Sequence, residues 1–319
     1  MSVIVFAESS EGKFKKIALE AISYGKKVAS LLGTQLVALT INAENASELA
    51  SYGAEKIIKV TNPDLEKFDA KIIASIIQQV ATNENSEVVI IDSSSNGLYL
   101  SPILAANLEA GYVSNVIEAP SSTEPFTVKR KAFSSKAFNH TEISTPIKVL
   151  GLAKNSFGVF EDATTPIEED FSPEIIASGV SSTAINKASG KVTIADADIV
   201  VSGGRGLKGP ENWGLIEDLA TVLGAATACS KPVSDLGWRP HGEHVGQTGK
   251  PVASNLYIAI GISGAIQHLA GINASKVKVV INTDPEAPFF KAADYGIIGD
   301  AFEVVPQLIE KLKDFKEKN

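Results

Sequence analysis

The sequence predicts an α/β protein with two domains, each a mainly parallel sheet flanked by helices. Three observations lead to this class. The chain has 319 residues, of which 44% are hydrophobic, and compact domains usually contain roughly 100–200 residues. Short runs rich in Val and Ile alternate with longer stretches whose apolar residues recur every three or four positions, as in parallel strands joined by helical crossovers. The alternation stops and later restarts, so we expect a first domain over residues 1–190 and a second over residues 191–319.

The first domain opens with this alternating pattern. Four short runs rich in β-branched residues are predicted as buried strands: residues 3–8, 35–41, 56–60 and 87–92. Residues 13–32 and 65–81 are predicted as helices because apolar side chains recur along one face of each. Gly33 is positioned to end the first of these helices.

The pattern changes after Tyr112. Three consecutive strands without helices between them are predicted: residues 126–132, 136–143 and 147–153. We therefore expect the first domain to end in antiparallel ribbons. Residues 154–190 are rich in Ser, Thr and Pro, which predicts a connecting segment, part of which can add a strand. Its acidic run, residues 168–170, is expected to be solvated linker.

The second domain repeats the alternation. Four strands are predicted: residues 198–202, 225–229, 256–262 and 276–282. Helices are predicted over residues 211–223 and 263–270, ended by Gly224 and Gly271, and a last helix over residues 307–315. In a doubly wound sheet of this kind, ligands bind beyond the carboxyl ends of the strands, where the strand order reverses.

Composition narrows the classes of function. The formal net charge of −8 argues against nucleic-acid binding, which needs a basic face. Cys229 is the single cysteine, so no intramolecular disulfide can form and a reducing compartment is favoured. The apolar run at residues 3–7 leaves no room for a signal peptide, and no apolar stretch approaches the roughly 20 residues of a membrane helix. We expect a protein of the bacterial cytoplasm that does not insert into a membrane.

The first candidate motif is the glycine-rich run at residues 204–209, which follows a predicted strand and matches G-x-G-x-x-G. Pro210 places the helix start after the motif, and no acidic residue ends the next strand to hold a ribose. The run can therefore be a plain turn or an anion-binding loop. Arg205 between the glycines favours an anion contact.

The second candidate is the run at residues 261–268, between a predicted strand and a helix. Free backbone N–H groups and small residues at a helix start suit a pyrophosphate. Gln267 and His268 follow one turn later, although His268 can equally be a satisfied buried histidine. Ser263 is a poor candidate for a nucleophile, because Ala265 stands where G-x-S-x-G requires the second glycine.

The third candidate is the run at residues 245–250, which resembles half of a phosphate loop. Pro251 stands where the magnesium-binding hydroxyl belongs, so ATP hydrolysis is disfavoured. The run can be a surface turn or a polar loop that aims Thr248 at a ring. His241 and His244 could suggest a metal, but a structural zinc needs four ligands and only one thiol is present. We expect no metal site.

Taken together, five segments in this order resemble the alpha subunit of electron-transfer flavoproteins: residues 202–206, 245–250, 261–271, 281–288 and 293–300. The resemblance is strong from about residue 198 to residue 306. Over residues 1–153 it rests on the opening Val-Ile-Val-Phe-Ala-Glu and on the order of strands and helices. It implies that the second domain is a Rossmann-like, three-layer α/β/α domain that binds FAD.

The resemblance also implies which residues contact the cofactor. Those at the flavin end or its linker would be Arg205, Ser230 and Lys231. Those lining the isoalloxazine ring would be Val245, Gly246, Gln247 and Thr248, with the Thr248 hydroxyl near N5. Those holding the pyrophosphate would be Ser263, Gly264, Ala265, Ile266, Gln267 and His268, with His268 reaching the flavin C2 carbonyl. Those holding the adenosine half would be Asn282, Asp300 and Ala301. Lys231 departs from the family's usual arginine and cannot stack on the ring as a guanidinium can.

The implied function is that of an electron carrier without substrate turnover of its own. By resemblance, the chain forms a heterodimer with a beta subunit, docked by the first domain, which has no cofactor of its own. It would carry electrons from acyl-CoA dehydrogenases or similar flavin dehydrogenases of fatty acid β-oxidation to a quinone oxidoreductase or another acceptor. An anionic flavin semiquinone would be stabilised by His268 and the helix dipole. The alternatives are an NAD-dependent enzyme on the same sheet and a non-catalytic nucleotide-binding scaffold.

Overall fold

The fold is described by a computed structural model that covers residues 1–133, 135–180, 182–183, 193–194 and 196–318. The chain divides into two compact units, residues 1–185 and 186–319. The predicted boundary between residues 190 and 191 lies outside the described residues. Both units contain large, mainly parallel sheets flanked by helices, which confirms the predicted fold class.

The first unit combines three helices with twelve strands among the described residues. The helices are α1 Lys16–Leu32, α2 Ala70–Asn83 and α3 Ser95–Asn107. The strands are β1 Ser2–Phe6, β2 Ser9–Ser10, β3 Lys13–Phe14, β4 Gln35–Ile41, β5 Lys56–Val60, β6 Ser86–Asp92, β7 Gly111–Val116, β8 Ser122–Thr123, β9 Phe126–Ala132, β10 Ala137–Glu142, β11 Lys148–Leu152 and β12 Ile167–Asp170. Short 3-10 turns lie at Ala46–Tyr52 and Pro63–Leu65.

The main sheet of this unit runs in the order β10-β9-β7-β11-β6-β1-β4-β5-β12. Alternate residues of the central strand β1 face opposite layers. Val3 and Val5 pack in the core that contains α1. Ile4 and Phe6 pack in the core that contains α2 and α3. The sheet therefore lies between two helical layers.

The three helices of the first unit differ from the sequence prediction. Helix α2 begins at Ala70 instead of residue 65, because the Asp69 carboxylate caps it by accepting the Ile72 N–H at 3.1 Å. Helix α1 begins at Lys16 instead of residue 13, because Lys13 and Phe14 pair with Ser10 and Ser9 in the small ribbon β2–β3. Helix α3 is absent from the prediction because Gly97 and Pro102 lie inside it. The Ser94 hydroxyl caps this helix by accepting the Gly97 N–H at 3.0 Å.

The prediction of antiparallel ribbons is right for β9 and β10 and wrong for β11. Strand β10 pairs antiparallel with β9 at the sheet edge. Strand β11 instead pairs parallel with both β6 and β7. Its four buried residues, 149–152, form the continuous apolar run of a strand covered on both faces.

The acidic run at residues 168–170 also differs from its prediction as linker. It belongs to β12, which pairs parallel with β5. Lys59 contacts the Glu168 carboxylate at 3.1 Å and Lys56 contacts the Glu169 carboxylate at 2.9 Å. The charges of the run are thus matched by lysines of the neighbouring strand, although the side chains stay largely exposed.

The second unit combines four helices with six strands in the described part of the chain. The strands are β13 Ile199–Gly203, β14 Ala226–Ser230, β15 His244–Val245, β16 Leu256–Ile260, β17 Val277–Asn282 and β18 Tyr295–Ile298. The helices are α4 Gly214–Leu223, α5 Lys231–Asp235, α6 Ile266–Ile272 and α7 Ala301–Lys318. The sheet order is β15-β14-β13-β16-β17-β18, and every neighbouring pair is parallel.

Two helices of this unit differ from their predicted bounds. Helix α6 begins three residues after the predicted start and continues through Gly271, which does not end it. A Cβ at this position would lie 2.6 Å from the Gly246 backbone, so close packing explains the glycine. Helix α7 begins at Ala301, where the Asp300 carboxylate accepts the Phe302 N–H at 3.0 Å, and runs through Pro306. None of the described helices is long and apolar enough to cross a membrane.

Candidate functional site

All sixteen predicted cofactor contacts follow the carboxyl end of a strand in the second unit. Because every strand pair of this sheet is parallel, these ends meet at one edge. Arg205 follows β13, Ser230 and Lys231 end and follow β14, and residues 245–248 end and follow β15. Residues 263–268 follow β16, Asn282 ends β17, and Asp300 and Ala301 follow β18. Six strands at about 4.8 Å spacing give an edge roughly 24 Å long, which suits an extended dinucleotide.

The strand order reverses between β13 and β16. The chain moves outward from β13 through β14 to β15, then returns to β16 and continues to β17 and β18 on the other side. The loops that follow β13 and β16 touch through their backbones, because Gly206 N–H donates to the Gly261 carbonyl at 3.1 Å. A Cβ on Gly204 would lie 2.1 Å from that same carbonyl oxygen. The glycines of the first two motifs therefore bring both loops to the reversal point, with Arg205 exposed beside them.

The turn formed by residues 263–266, called here the 263–266 turn, offers free hydrogen-bond donors. Within the described part of the chain, the backbone N–H groups of these four residues meet no acceptor. Gly264 has φ +83°, and a Cβ there would lie 2.6 Å from the Phe289 backbone nitrogen. Phe289 N–H also donates to the Ser263 carbonyl at 3.0 Å. Phe289 thus holds the turn in place through its contacts with Ser263 and Gly264. The unpaired N–H groups of the turn are suited to bind phosphate oxygens.

The loop formed by residues 245–250, called here the 245–250 loop, closes on itself. Lys250 N–H donates to the His244 carbonyl at 2.9 Å, and Gly249 N–H donates to the Gly246 carbonyl at 3.1 Å. Gln247 N–H donates to the Gln267 carbonyl at 2.8 Å, which ties this loop to helix α6. The side chains of Gln247 and Thr248 are exposed at its tip.

His268 lies in a buried layer beneath these loops. Its Nε2 is 2.9 Å from the Tyr257 hydroxyl, and its ring lies beside that of Phe289. Burial, with a smaller effect from His244, lowers the pKa of His268 to about 4, and the nearby Val245 backbone opposes this only weakly. The ring is therefore neutral at pH 7.

The second nitrogen of His268 decides whether this histidine is fully satisfied. Its Nδ1 is buried and makes no well-formed hydrogen bond to any described residue, although an interaction with the Val245 backbone raises the pKa of the ring. Burial raises the pKa of Tyr257, so its hydroxyl keeps a proton to donate. When it donates to Nε2, the imidazole proton sits on Nδ1 and remains available to an acceptor on a ligand. Of the two ring nitrogens, only Nε2 has a well-formed hydrogen bond, so His268 is not a fully satisfied core histidine.

The residues predicted for the adenosine half already have partners. The Asn282 side chain donates to the Ile262 carbonyl at 3.0 Å and accepts the Asp284 N–H at 3.0 Å, so it holds the loop after β16. Asp300 caps helix α7 and lies 3.5 Å from the Lys208 ammonium. Lys208 was not among the predicted contacts, although its position inside the glycine-rich run at residues 204–209 could have indicated it.

Three buried side chains that support the site were also missed as site residues: His244, Tyr257 and Phe289. His244 was weighed only as a metal ligand. The described residues contain no group of three His, Cys, Asp or Glu placed to hold a metal ion. Tyr257 lies inside the apolar strand β16, and Phe289 lies in a 3-10 turn, so neither gave a separate signal.

Comparisons with known proteins find two family models that match the chain. Residues 193–273 match the family model described as the electron transfer flavoprotein FAD-binding domain. Residues 3–182 match the model described as the electron transfer flavoprotein domain.

Curated relatives match over almost the whole chain. The electron transfer flavoprotein subunit alpha of Bacillus subtilis is 36% identical over 315 residues, which is 98% of this chain and 97% of the relative. That of Thermoanaerobacterium thermosaccharolyticum is 36% identical over 324 residues, 98% of each chain. The probable mitochondrial electron transfer flavoprotein subunit alpha of Caenorhabditis elegans is 37% identical over 325 residues, 98% of this chain and 93% of the relative.

The resemblance inferred from the five segments is therefore confirmed, and so is FAD as the cofactor of the second unit. The residues at the carboxyl edge fit such a group, because they combine unpaired backbone donors with a buried imidazole nitrogen that makes no well-formed hydrogen bond to the described residues. This chain belongs to the family of electron transfer flavoprotein alpha subunits.

Proposed function

We propose that this chain is the FAD-holding subunit of a heterodimeric electron carrier that it forms with a beta subunit. It receives electrons from acyl-CoA dehydrogenases or similar flavin dehydrogenases of fatty acid β-oxidation. It passes them to a quinone oxidoreductase or another acceptor, works in the cytoplasm and turns over no substrate of its own. The observation that carries the proposal is the row of exposed donors and polar side chains along one edge of the second sheet.

FAD supplies the redox chemistry when it is bound, while the protein binds, orients and tunes it. The four N–H groups of the 263–266 turn bind the pyrophosphate, because they meet no acceptor among the described residues and three of the four residues, all but Gly264, are exposed. Arg205, exposed at the strand reversal, adds a permanent positive charge beside them.

The flavin ring lies against the 245–250 loop. Gln247 and Thr248 are exposed there, and Lys231 at the start of α5 supplies a positive charge on the same side of the sheet. The Nδ1–H of neutral His268 would donate to the C2 carbonyl of the bound flavin. These donors favour negative charge on the pyrimidine side of the ring, as an oxyanion hole favours a developing oxyanion.

The adenosine half lies toward β17 and β18. Asn282 acts by fixing the loop after β16, since both ends of its amide have partners. Asp300 forms an ion pair with Lys208 at this end of the edge. Ala301 is the first residue of helix α7 and lies next to Asp300.

An NAD-dependent enzyme is less well supported. A dinucleotide-binding fold of that kind ends its second strand with an acidic residue that binds the ribose. Here β14, the strand that follows β13, ends at Ser230.

The test is to purify the chain together with its beta subunit and to record absorption during stepwise reduction. We expect a yellow heterodimer whose flavin bands bleach through two separable one-electron steps. A colourless heterodimer that takes up no added FAD would refute the proposal. Bound nucleotide without reversible bleaching would indicate the non-catalytic scaffold instead.

A further inference from the structure

Three histidines, His241, His244 and His268, lie near one another close to the proposed ring position. His241 is exposed, and its ring centroid lies 5.4 Å from that of His244. His244 in turn is close enough to His268 to lower its pKa. His241 and His244 have no role in the assignment of cofactor contacts above.

The ring of His244 fills the inside of the 245–250 loop. Only 2% of the residue is exposed. A Cβ on Gly246 would lie 3.3 Å from the His244 Nε2, and a Cβ on Gly249 would lie 2.9 Å from its Nδ1. Both glycines therefore leave room for this imidazole, and the loop that presents Thr248 is built around it.

One nitrogen of this ring is open. The Nδ1 of His244 is buried and completes no hydrogen bond to any described residue. A buried polar atom without a partner is costly in a folded protein and often marks a functional position. His244 therefore lies inside the loop that is proposed to line the flavin, and its Nδ1 is available to bind or release a proton.

The charged and titratable groups around His244 come from every neighbouring element. Helix α5 contributes Lys231 and Asp235, and the turn that precedes His244 contributes His241 and Glu243. Cys229 lies on the paired strand β14, and His268 lies on α6. Burial, then His241 and Lys231, lower the pKa of His244, whereas Asp235 raises it. Glu243 is engaged by Arg239 at 2.7 Å. The environment thus favours the neutral imidazole as long as no negative charge is added nearby.

We propose that His244 takes up one proton from solvent, by way of His241, when the FAD bound at this edge is reduced by one electron. The electron goes to the flavin, and the proton forms a new N–H bond on the His244 imidazole. The net charge of the site then stays constant, and the flavin itself keeps its negative charge. The physical cause is the added negative charge beside the loop, which favours the cationic form of a nearby imidazole.

His268 is a poorer acceptor for this proton. Its Nε2 is already engaged by Tyr257, and no exposed titratable ring lies against it among the described residues. His244 has such a neighbour in His241, whose Nδ1 is within 3.4 Å of the Ser234 hydroxyl at the surface. The route for the proton therefore ends at His244.

The test is the first one-electron potential of the holo-heterodimer measured between about pH 5 and 8. Since His244 is neutral before reduction and charged after it, the equilibrium should change about tenfold per pH unit between the two pKa values, or about 59 mV for a one-electron step. In His244→Gln this dependence should vanish. In the control Lys313→Gln, at an exposed residue on α7 away from the proposed site and interface, it should remain.

A second measurement protects the inference against a variant that folds or loads poorly. Infrared difference spectroscopy of the wild-type heterodimer with labelled histidines, which the unpaired electron of the reduced flavin does not broaden, should show an imidazole becoming cationic on one-electron reduction at pH 7. A pH dependence that persists in well-loaded His244→Gln, or imidazole signals that stay neutral on reduction, overturns the inference. This inference rests on the proposed ring position, but failure to bind FAD would refute the proposed function, whereas FAD binding without these responses refutes only the role of His244.

Discussion

At the proposed ring position, Lys231 is the side chain with a permanent positive charge that departs from the family's usual residue. It is exposed and begins the five-residue helix α5. A lysine ammonium is a compact, strongly hydrated charge, whereas an arginine guanidinium can lie flat on a ring. The lysine therefore keeps the charge near the flavin but loses the stacking.

We expect Lys231→Arg to stabilise the one-electron-reduced state of the flavin. A stacking contact of about 1 kcal/mol corresponds to roughly 40 mV for a one-electron step. Spectroelectrochemistry of the holo-heterodimer measures this shift. Lys208→Arg is the control, because Lys208 pairs with Asp300 at the other end of the edge. If both one-electron potentials are unchanged in Lys231→Arg, residue 231 does not lie beside the ring.

His268 makes the stability of the second unit depend on pH. Its pKa is lowered to about 4 by burial, against an ordinary value near 6.5 in the unfolded chain. The native state therefore binds this proton less readily than the unfolded state does. The neutral ring contributes its full stability above about pH 6.5, and that stability is lost as the pH falls toward 4.

We expect the free energy of unfolding to fall by at most about 3 kcal/mol between pH 7 and pH 4 because of this residue. Urea unfolding followed by tryptophan fluorescence measures it, since both tryptophans, Trp213 and Trp238, lie in the second unit. The fall should be smaller in His268→Gln and unchanged in His140→Gln. Equal slopes in the wild type and His268→Gln would show that other groups cause it.

At the scale of elements, the 263–266 turn depends on a glycine. Gly264 has φ +83°, and an added Cβ would meet the backbone and Cβ of Phe289 within 2.7 Å. The turn cannot shift easily, because Phe289 N–H bonds the Ser263 carbonyl. Any side chain at position 264 therefore strains the backbone that presents the free donors.

We expect Gly264→Ala to cost about 2 kcal/mol or more of stability and to weaken FAD binding at least tenfold. Fluorescence titration of the apo-heterodimer with FAD measures the affinity. Gly214→Ala is the matched control, because a Cβ at the start of α4 would meet nothing within 4 Å. Retention of full FAD affinity in Gly264→Ala would place the pyrophosphate elsewhere on the edge.

The elements also show where sequence patterns reach their limit. Most strands of both units and helices α1 and α4 were predicted close to their bounds, because a local period of two or 3.6 residues marks each. Strand β7 was not predicted, and α2 begins later than predicted. Helix α3 was missed because Gly97 and Pro102 weaken the local helix signal. The glycine is required by close packing against the end of β6, because a Cβ at Gly97 would lie 1.9 Å from the Asp92 carbonyl oxygen.

At the scale of the whole molecule, the proposed partner needs a surface on the first unit. The β9–β10 hairpin exposes two aromatic side chains, Phe133 at 84% and Phe138 at 60%. Strand β10 is also an edge strand whose residues are almost all exposed, and such an edge can pair with another chain. These features support docking of the beta subunit at this hairpin.

We expect Phe138→Asp to weaken assembly with the beta subunit by about tenfold or more, because interface aromatics often contribute more than 1 kcal/mol. Analytical ultracentrifugation of the two purified subunits measures this. Tyr99→Asp, at an aromatic residue on α3 that is 71% exposed, is the control. Release of the partner by the control but not by Phe138→Asp would move the interface away from the hairpin.

The sequence by itself determined the α/β class, most of the strands and the family, and it suggested the segments proposed to carry the cofactor contacts, because these features are encoded in local periodicity and in contiguous motifs. Only the tertiary structure decided that β11 is a central parallel strand, that the acidic run joins β5 as a strand, and that Asn282 holds the loop after β16. It also decided that the His244 ring fills the 245–250 loop and that His268 is hydrogen-bonded to the Tyr257 hydroxyl. The physical reason is that strand order and side-chain partners depend on contacts between residues far apart in the chain, which no local pattern specifies.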